Sequence, residues 1–294
     1  TEGRAVEGDG SMIIARTLAL GAVTLLLGAG GAQAQDPQPN DALLATLWTQ
    51  RSVEFKGNAL TVYALAKIRL DQALADKKWT AAPVEQKGEF ADLPPAIVLD
   101  VDETVLDNSA YQVWNIKSGK SFSLPTWNEF CAAQISRAIP GSVEFTKYAD
   151  SKGVKVFYVS NRDVVTEKDT RENMEKLGYP MGGNVDTFLM QNEQKDWGSK
   201  KGTRRAFIAK DYRILLEFGD NFGDFDDRYS SSEADRLKFF DENKDRWGRE
   251  WLVIANPTYG SFEAAPFGFD YKKSDADKRK ARWDVLEGWA GPKQ

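Results

Sequence analysis

The 294-residue chain contains no histidine and a single cysteine, Cys131. Without histidine there is no Ser-His-Asp or Cys-His nucleophile system, no His-ligated zinc and no phosphohistidine chemistry. Any catalysis has to run on carboxylates, Lys, Tyr or Ser. A lone cysteine forms no internal disulfide, and Cys131, set between aromatic and small residues, reads as a packed apolar side chain. A formal charge of −5 leaves no broad basic surface, which argues against affinity built on the phosphates of a nucleic-acid polymer. Small anions remain candidate ligands wherever a local site supplies positive charge. Internal repeats and long low-complexity tracts are absent as well.

With 41% hydrophobic and 28% charged residues, the composition is globular and suits one large domain or one domain with an inserted cap. Residues 1–11 read as an expression scar or an upstream extension ahead of Met12, and residues 12–34 as a signal peptide: Arg16, an apolar run from Leu18 to Leu27, then the small-x-small string Ala32-Gln33-Ala34. Export to the periplasm or medium, with cleavage before Gln35, is the expectation. The alternative is a retained membrane anchor, for which the run is short and rich in glycine. No cysteine near the cleavage point offers a lipid attachment site.

After a Pro and Asn linker at 36–40, the apolar residues Leu43, Leu44, Leu47, Val53, Leu60, Tyr63, Ala64, Ile68 and Leu70 fall largely at helical spacing. They predict one or two helices over 41–79, with Gly57-Asn58 as a break. Short apolar runs predict strands at 96–100, 154–159, 186–190, 214–218 and 251–255. Helices are expected between them at 142–151, 166–177, from the Lys-rich turn at 195–205 to 211, and at 231–247, with a charged helix at 274–289 closing the chain. Strands alternating with helices argue for a parallel sheet with right-handed crossovers. Almost sixty residues separate the first strand from the second. They carry Tyr111, Trp114, Phe122, Trp127 and Phe130, with a helix expected at 127–136, and are placed to act as a lid.

The chain is organised around Ile97-Val-Leu-Asp100-Val-Asp102-Glu-Thr-Val-Leu-Asp107-Asn108. An apolar strand ends in two carboxylates two residues apart, which period-2 geometry puts on the same side. The other strand ends are polar too: Ser160-Asn161, a Lys-rich turn, then Asp220 and Asp224. In open α/β sheets such carboxyl ends converge on the ligand site. Clustered carboxylates repel one another unless a cation is present, and oxygen-only ligation without histidine suits Mg²⁺. A metal, a lysine, a hydroxyl and backbone N–H donors together suit a phosphoryl group. Capping of a helix is the alternative reading for Asp107, Asn108 or Asp224 taken singly, and for Ser160.

Asp100-Val-Asp102-Glu-Thr-Val, Ser160-Asn-Arg, a lysine before a helix and Gly219-Asp220-Asn-x-x-Asp224 resemble, in order, the four motifs of the haloacid dehalogenase superfamily. The longer strings Leu-Asp-Val-Asp-Glu-Thr-Val-Leu-Asp-Asn-Ser and Phe-Tyr-Val-Ser-Asn-Arg are similar to one branch, the class C bacterial acid phosphatases and 5′-nucleotidase lipoproteins. The resemblance runs from Leu43 to Trp289. It implies a Rossmann-like parallel sheet flanked by helices, in a phosphatase domain over 35–294. A mainly helical cap would come from 105–140 and the helices at 41–79.

The resemblance further implies that Asp100 is the nucleophile and that Asp102 is the acid and base, its carbonyl helping to bind metal. Ser160 and Asn161 would hold phosphoryl oxygens. Lys201 would offset charge; it is preferred to Lys200 because Lys201-Gly-Thr-Arg204-Arg205 resembles the family's Lys-x-x-Arg-Arg spacing. Asp100 and Asp220 would hold Mg²⁺ as well, and Asp224 through water. Trp127 and Tyr259 match positions that stack on a nucleobase, against the alternative of ordinary packed aromatics, and Arg162 reads as structural.

The expected activity is Mg²⁺-dependent hydrolysis of small phosphomonoesters, including nucleoside 5′-monophosphates, through an aspartyl-phosphate. Phosphotransfer on the same scaffold, or export as a non-catalytic nucleotide-binding protein, are the alternatives. Membrane contact is expected only if the leader is retained, and a homodimer is left open. The missing lipobox cysteine departs from the family pattern in anchoring and leaves the chemistry untouched.

Overall fold

The computed structural model of the protein describes residues 40–292, so the expected extension at 1–11 and signal peptide at 12–34 lie outside the described residues. In chain order the elements are α1 (Leu43–Arg51), α2 (Val53–Ala75), β1 (Pro95–Leu99), β2 (Leu106–Asp107), α3 (Ser109–Ser118), α4 (Leu124–Ala132), β3 (Arg137–Ala138), α5 (Ser142–Ser151), β4 (Lys155–Asp163), α6 (Glu167–Leu177), β5 (Phe188–Gln191), α7 (Gly202–Ala209), β6 (Arg213–Gly219), α8 (Glu233–Glu242), β7 (Trp251–Val253), α9 (Ser261–Ala264) and α10 (Asp275–Asp284). Five strands form one sheet in the order β5-β4-β1-β6-β7, and every neighbouring pair is parallel. This is a haloacid dehalogenase-type α/β fold. No helix among the described residues is long and apolar enough to cross a membrane.

The sheet's middle strand has to bury both faces, which is why β1 reads as an uninterrupted apolar run. Ile97 and Leu99 pack with Tyr63, Phe145 and Phe218, while Ala96 and Val98 pack on the opposite side with Phe157, Ile208 and Trp251. The ladder carries on past the strand, with Asp100 N–H donating to Phe218 C=O at 3.0 Å. Asp100 is therefore fixed by backbone pairing where the sheet runs out.

The N-terminal helices differ from the expected pattern in two ways. The break falls at Ser52, whose side chain caps α2 by accepting from Phe55 N–H, and Gly57 lies exposed inside a continuous helix. The buried stripe of α2 is Phe55, Ala59, Tyr63, Ala66, Leu70 and Ala73, whereas Val53, Leu60 and Ile68 face outward. Small alanines let the helix lie close on the sheet, and that close packing outweighs both the exposed apolar side chains and the low helix propensity of one glycine. In α1 it is Thr46 and Thr49 that are buried, and Leu44 is 75% exposed.

The aromatic insert leaves and rejoins the domain through a two-stranded neck in which antiparallel β2 and β3 pair Leu106 with Ala138 and Asp107 with Arg137. Between the two strands lie α3 and α4. The latter starts at Leu124, capped by Ser123, and ends at Ala132, earlier at both ends than the expected 127–136. Cys131 is buried beside Tyr111 and Trp127, and burial pushes its thiol up to about 12. It is a packing residue.

Candidate active site

Adjacent strands β1, β4 and β6 deliver Asp100, Ser160 and Asp220 to one edge of the sheet, and the start of α7 delivers Lys201. Lys201 is 4% exposed; its ammonium binds the Asp100 carboxylate and lies 2.7 Å from Asp224 Oδ1. The neighbouring Lys200 is exposed. Carboxylate oxygens of Asp100, Asp220 and Asp224 all fall within 4.8 Å of one another.

Asp224 is placed by its own turn. Its Oδ2 accepts Asn221 N–H at 2.9 Å while Asn221 Oδ1 accepts Gly223 N–H, a reciprocal cap that frees Oδ1 for Lys201. Capping and site roles therefore coexist in one carboxylate. Gly219 is required here, because a Cβ would come within 2.2 Å of Asp224 Oδ2. Arg205 holds the same turn from below by donating to Asp224 C=O at 2.9 Å. Asp220 Oδ2 accepts from Asn256 Nδ2 at 2.8 Å, so the end of β7 also steadies the cluster.

Three carboxylates around one ammonium leave excess negative charge. Burial pushes Asp100 up to about 7; Lys201 opposes that, while the charges of Asp224 and Asp102 add to it. Burial, with Asp224 and Asp100 beside it, raises Asp220 well above the usual carboxylate range. Burial alone would lower Lys201, yet its two carboxylate partners leave it raised. Hard oxygen donors and uncompensated negative charge fit a divalent metal, which Asp100, Asp220 and Asp224 are placed to hold.

Asp102 sits apart from that triad. Its Oδ1 accepts from Asn108 Nδ2 at 2.8 Å and from Arg162 Nε at 2.9 Å. Its neighbour Glu103 has a positive φ of 56°, held because its carboxylate accepts Asn108 N–H at 3.0 Å and the Tyr259 hydroxyl. Burial, with the Asp102 charge next to it, pushes Glu103 up to about 8.

Ser160 Oγ accepts Arg162 N–H at 3.0 Å, so it closes its own turn, and the cap that follows comes from Asp163. Asn161 is held at both ends of its amide: Nδ2 donates to Ser199 C=O and Oδ1 accepts from Arg204. Arg204 also donates to Ser160 C=O at 2.5 Å and to Gly198 C=O at 2.9 Å, tying the end of β4 to the Lys-bearing loop. Asp107 caps its own turn through Ser109 N–H, and Asn108 serves Asp102 and Glu103.

Trp127 is 8% exposed, stacked on Phe130 and edge-on to Tyr111, with the Arg162 guanidinium 5.4 Å from its ring centre. Tyr259 points its hydroxyl at Glu103. Sequence reasoning used Arg204 and Arg205 only as spacing markers and read Arg162 as structural. Their one available signal was position, two residues after Ser160 and three and four after Lys201.

The fold and the acidic cluster beside a buried lysine define a haloacid dehalogenase-type phosphohydrolase. Residues 35–262 match the HAD superfamily, subfamily IIIB (Acid phosphatase), and the chain belongs to that family. It is similar to the class C acid phosphatase from Bacillus anthracis, with 36% identity, a TM-score of 0.74, and coverage of 84% of this chain and 97% of that one. A second structure of that enzyme, with tungstate bound, matches at 35% identity with the same TM-score of 0.74 and the same coverage, 84% and 97%. The protein is a phosphoric monoester hydrolase.

Proposed function

We propose that the enzyme is a Mg²⁺-dependent acid phosphatase that hydrolyses small phosphomonoesters, nucleoside 5′-monophosphates among them, through an aspartyl-phosphate on Asp100. The observation that carries this reading is the Asp100 carboxylate held against Lys201 within the Asp100, Asp220 and Asp224 cluster at the sheet edge. The tungstate-bound relative adds support, since tungstate is a tetrahedral oxyanion like phosphate.

In the first step Asp100 attacks phosphorus in line and the bond to the leaving oxygen breaks, with Asp102 giving that oxygen a proton. In the second, Asp102 takes a proton from a water that attacks phosphorus, and the bond to Asp100 breaks to release phosphate. Lys201 balances charge on Asp100 and on a phosphoryl oxygen. Ser160 Oγ accepts from Arg162 N–H, which leaves its own proton for another phosphoryl oxygen, and Asn161 shapes that end of the cradle. The side chains of Asp100 and Asp220, the Asp102 carbonyl and Asp224 through water would hold Mg²⁺, which when bound neutralises phosphoryl charge.

Tyr259 and Trp127 would contact a nucleobase, with residues 105–140 and the helices at 41–79 forming the cap. The leader would export the domain, with cleavage before Gln35. Phosphate release from AMP and p-nitrophenyl phosphate between pH 5 and 7, dependent on Mg²⁺ and lost in Asp100→Asn, is the expected result. A variant that keeps turning over without Asp100 would overturn the reading.

A further inference from the structure

Arg162 is a fully buried cation whose donors are spent around Asp102. It lies two residues beyond Ser160, in the irregular end of β4 where the register to β5 shifts, its N–H donates to Ser160 Oγ at 3.0 Å, and it is 1% exposed. Nε and Nη2 both lie 2.9 Å from Asp102 Oδ1, Nη2 also donates to Asn108 Oδ1 at 3.2 Å, and Nη1 donates to Thr170 Oγ1 at 3.0 Å. Asn108 in turn donates to the same Asp102 oxygen and accepts from Ser136 Oγ at 2.6 Å. The Trp127 ring covers the guanidinium at 5.4 Å.

The bonds that Asp102 receives among the described residues fall on Oδ1, and its side chain keeps 17% of its surface open. One carboxylate oxygen is an anchor and the other is free. At a more exposed pair, Arg228 engages both oxygens of Asp226 in a fork. Arg162 instead brings Nε and Nη2 to a single oxygen and spends further donor capacity on Asn108 and Thr170, which fixes its own orientation.

We propose that Arg162, seconded by Asn108, is the positioning residue that clamps Asp102 by Oδ1 and so presents Oδ2 to the leaving oxygen of the substrate. The proposal rests on the reading of Asp102 as general acid. It also joins β4, the turn after β1 and the aromatic insert at a single guanidinium.

Leaving-group dependence separates positioning from general damage. A p-nitrophenolate leaves with little help from a proton, whereas the 5′-alkoxide of a nucleoside needs one. The measurement is kcat/KM, which reports the first phosphoryl transfer, for full-length Mg²⁺-loaded protein with p-nitrophenyl phosphate and with AMP. Arg162→Ala is expected to lower the AMP value by about 10²-fold and the aryl value by less than about 10-fold. Arg162→Lys should recover part of the AMP loss. Combined with Asp102→Asn, Arg162→Ala should add no further selectivity.

Equal losses on both substrates would overturn the proposal. If Arg162→Ala does not fold, Arg162→Lys and Asn108→Ala carry the same comparison. If Asp102→Asn itself loses both substrates equally, the general-acid reading fails and the proposal falls with it. If Asp102→Asn is selective and the Arg162 variants are not, the positioning role alone is wrong.

Discussion

Lys201, the N-cap of α7, and Arg205, four residues on within the helix, are both buried, and each meets carboxylates, but to different ends. Lys201 faces Asp100 and Asp224 at the edge of the sheet, where three carboxylates crowd one ammonium and the charge is left unbalanced. Arg205 faces inward. It donates to Glu85 at 2.9 Å and to Asp224 C=O, lies 3.7 Å from Glu217 and 3.6 Å from Asp227, and holds the turn in place. The difference teaches that burial and opposite charge do not by themselves mark a reactive site. Both gather carboxylates around one cation; what separates them is place, since only the Lys201 cluster lies where the ends of β1, β4 and β6 meet at the sheet edge.

That contrast can be broken by substitution on either side. The largest effect expected is from Asp100→Asn, which should lower phosphate release by at least about 10³-fold while the far-ultraviolet spectrum and melting transition stay close to wild type. Chelation with EDTA should remove at least about 10²-fold of activity, restored by added Mg²⁺, because the Asp100, Asp220 and Asp224 oxygens that would hold the ion lie on the Lys201 side. Arg205→Ala should instead cost about 3–5 kcal/mol in urea denaturation, the usual penalty for leaving a buried carboxylate unpartnered. Lys201→Met should reverse the pattern, with turnover reduced by about 10²-fold and, with Mg²⁺ present, a smaller stability loss than Arg205→Ala.

The smallest expected effect is on pH dependence. Glu217 is buried in β6 with neither carboxylate oxygen hydrogen-bonded among the described residues, and burial raises it well above the usual carboxylate range despite Arg205. A raised folded-state value means the protonated form is favoured by folding. Its contribution is complete below the unfolded value near 4.5 and is lost as pH rises through the folded value. Glu217→Gln should therefore be more stable relative to wild type at pH 8 than at pH 5. A parallel pair of denaturation curves with no such change would remove Glu217 from the account.

Much of the fold was legible because strand positions and site positions coincide in this chain. An apolar run that stops at Asp100, another at Ser160 and a third at Gly219-Asp220 mark both the sheet and its reactive edge. Apolar count misled in the N-terminal helices, where Leu44, Val53, Leu60 and Ile68 are outward and the alanines of α2 make the contact. Exposed leucines and buried alanines have the same helical period, so periodicity alone did not say which face the sheet takes. The arginines were illegible for another reason. A guanidinium has five donors, and which oxygens they find depends on distant segments such as those of Asn108, Ser160 and Asp224.

The sequence by itself determined the parallel α/β class, the order of the acidic and basic strand ends and a chemistry without histidine, because each is carried by residue type within a short stretch. Only the tertiary structure decided the partners. Arg162 meets Asp102 from sixty positions away and Tyr259 reaches Glu103 from the far end of the sheet. Asp224 divides its two oxygens between a cap and Lys201. Those choices depend on the directions in which packed strands and turns aim their side chains, which exist only once the sheet has closed on both of its cores.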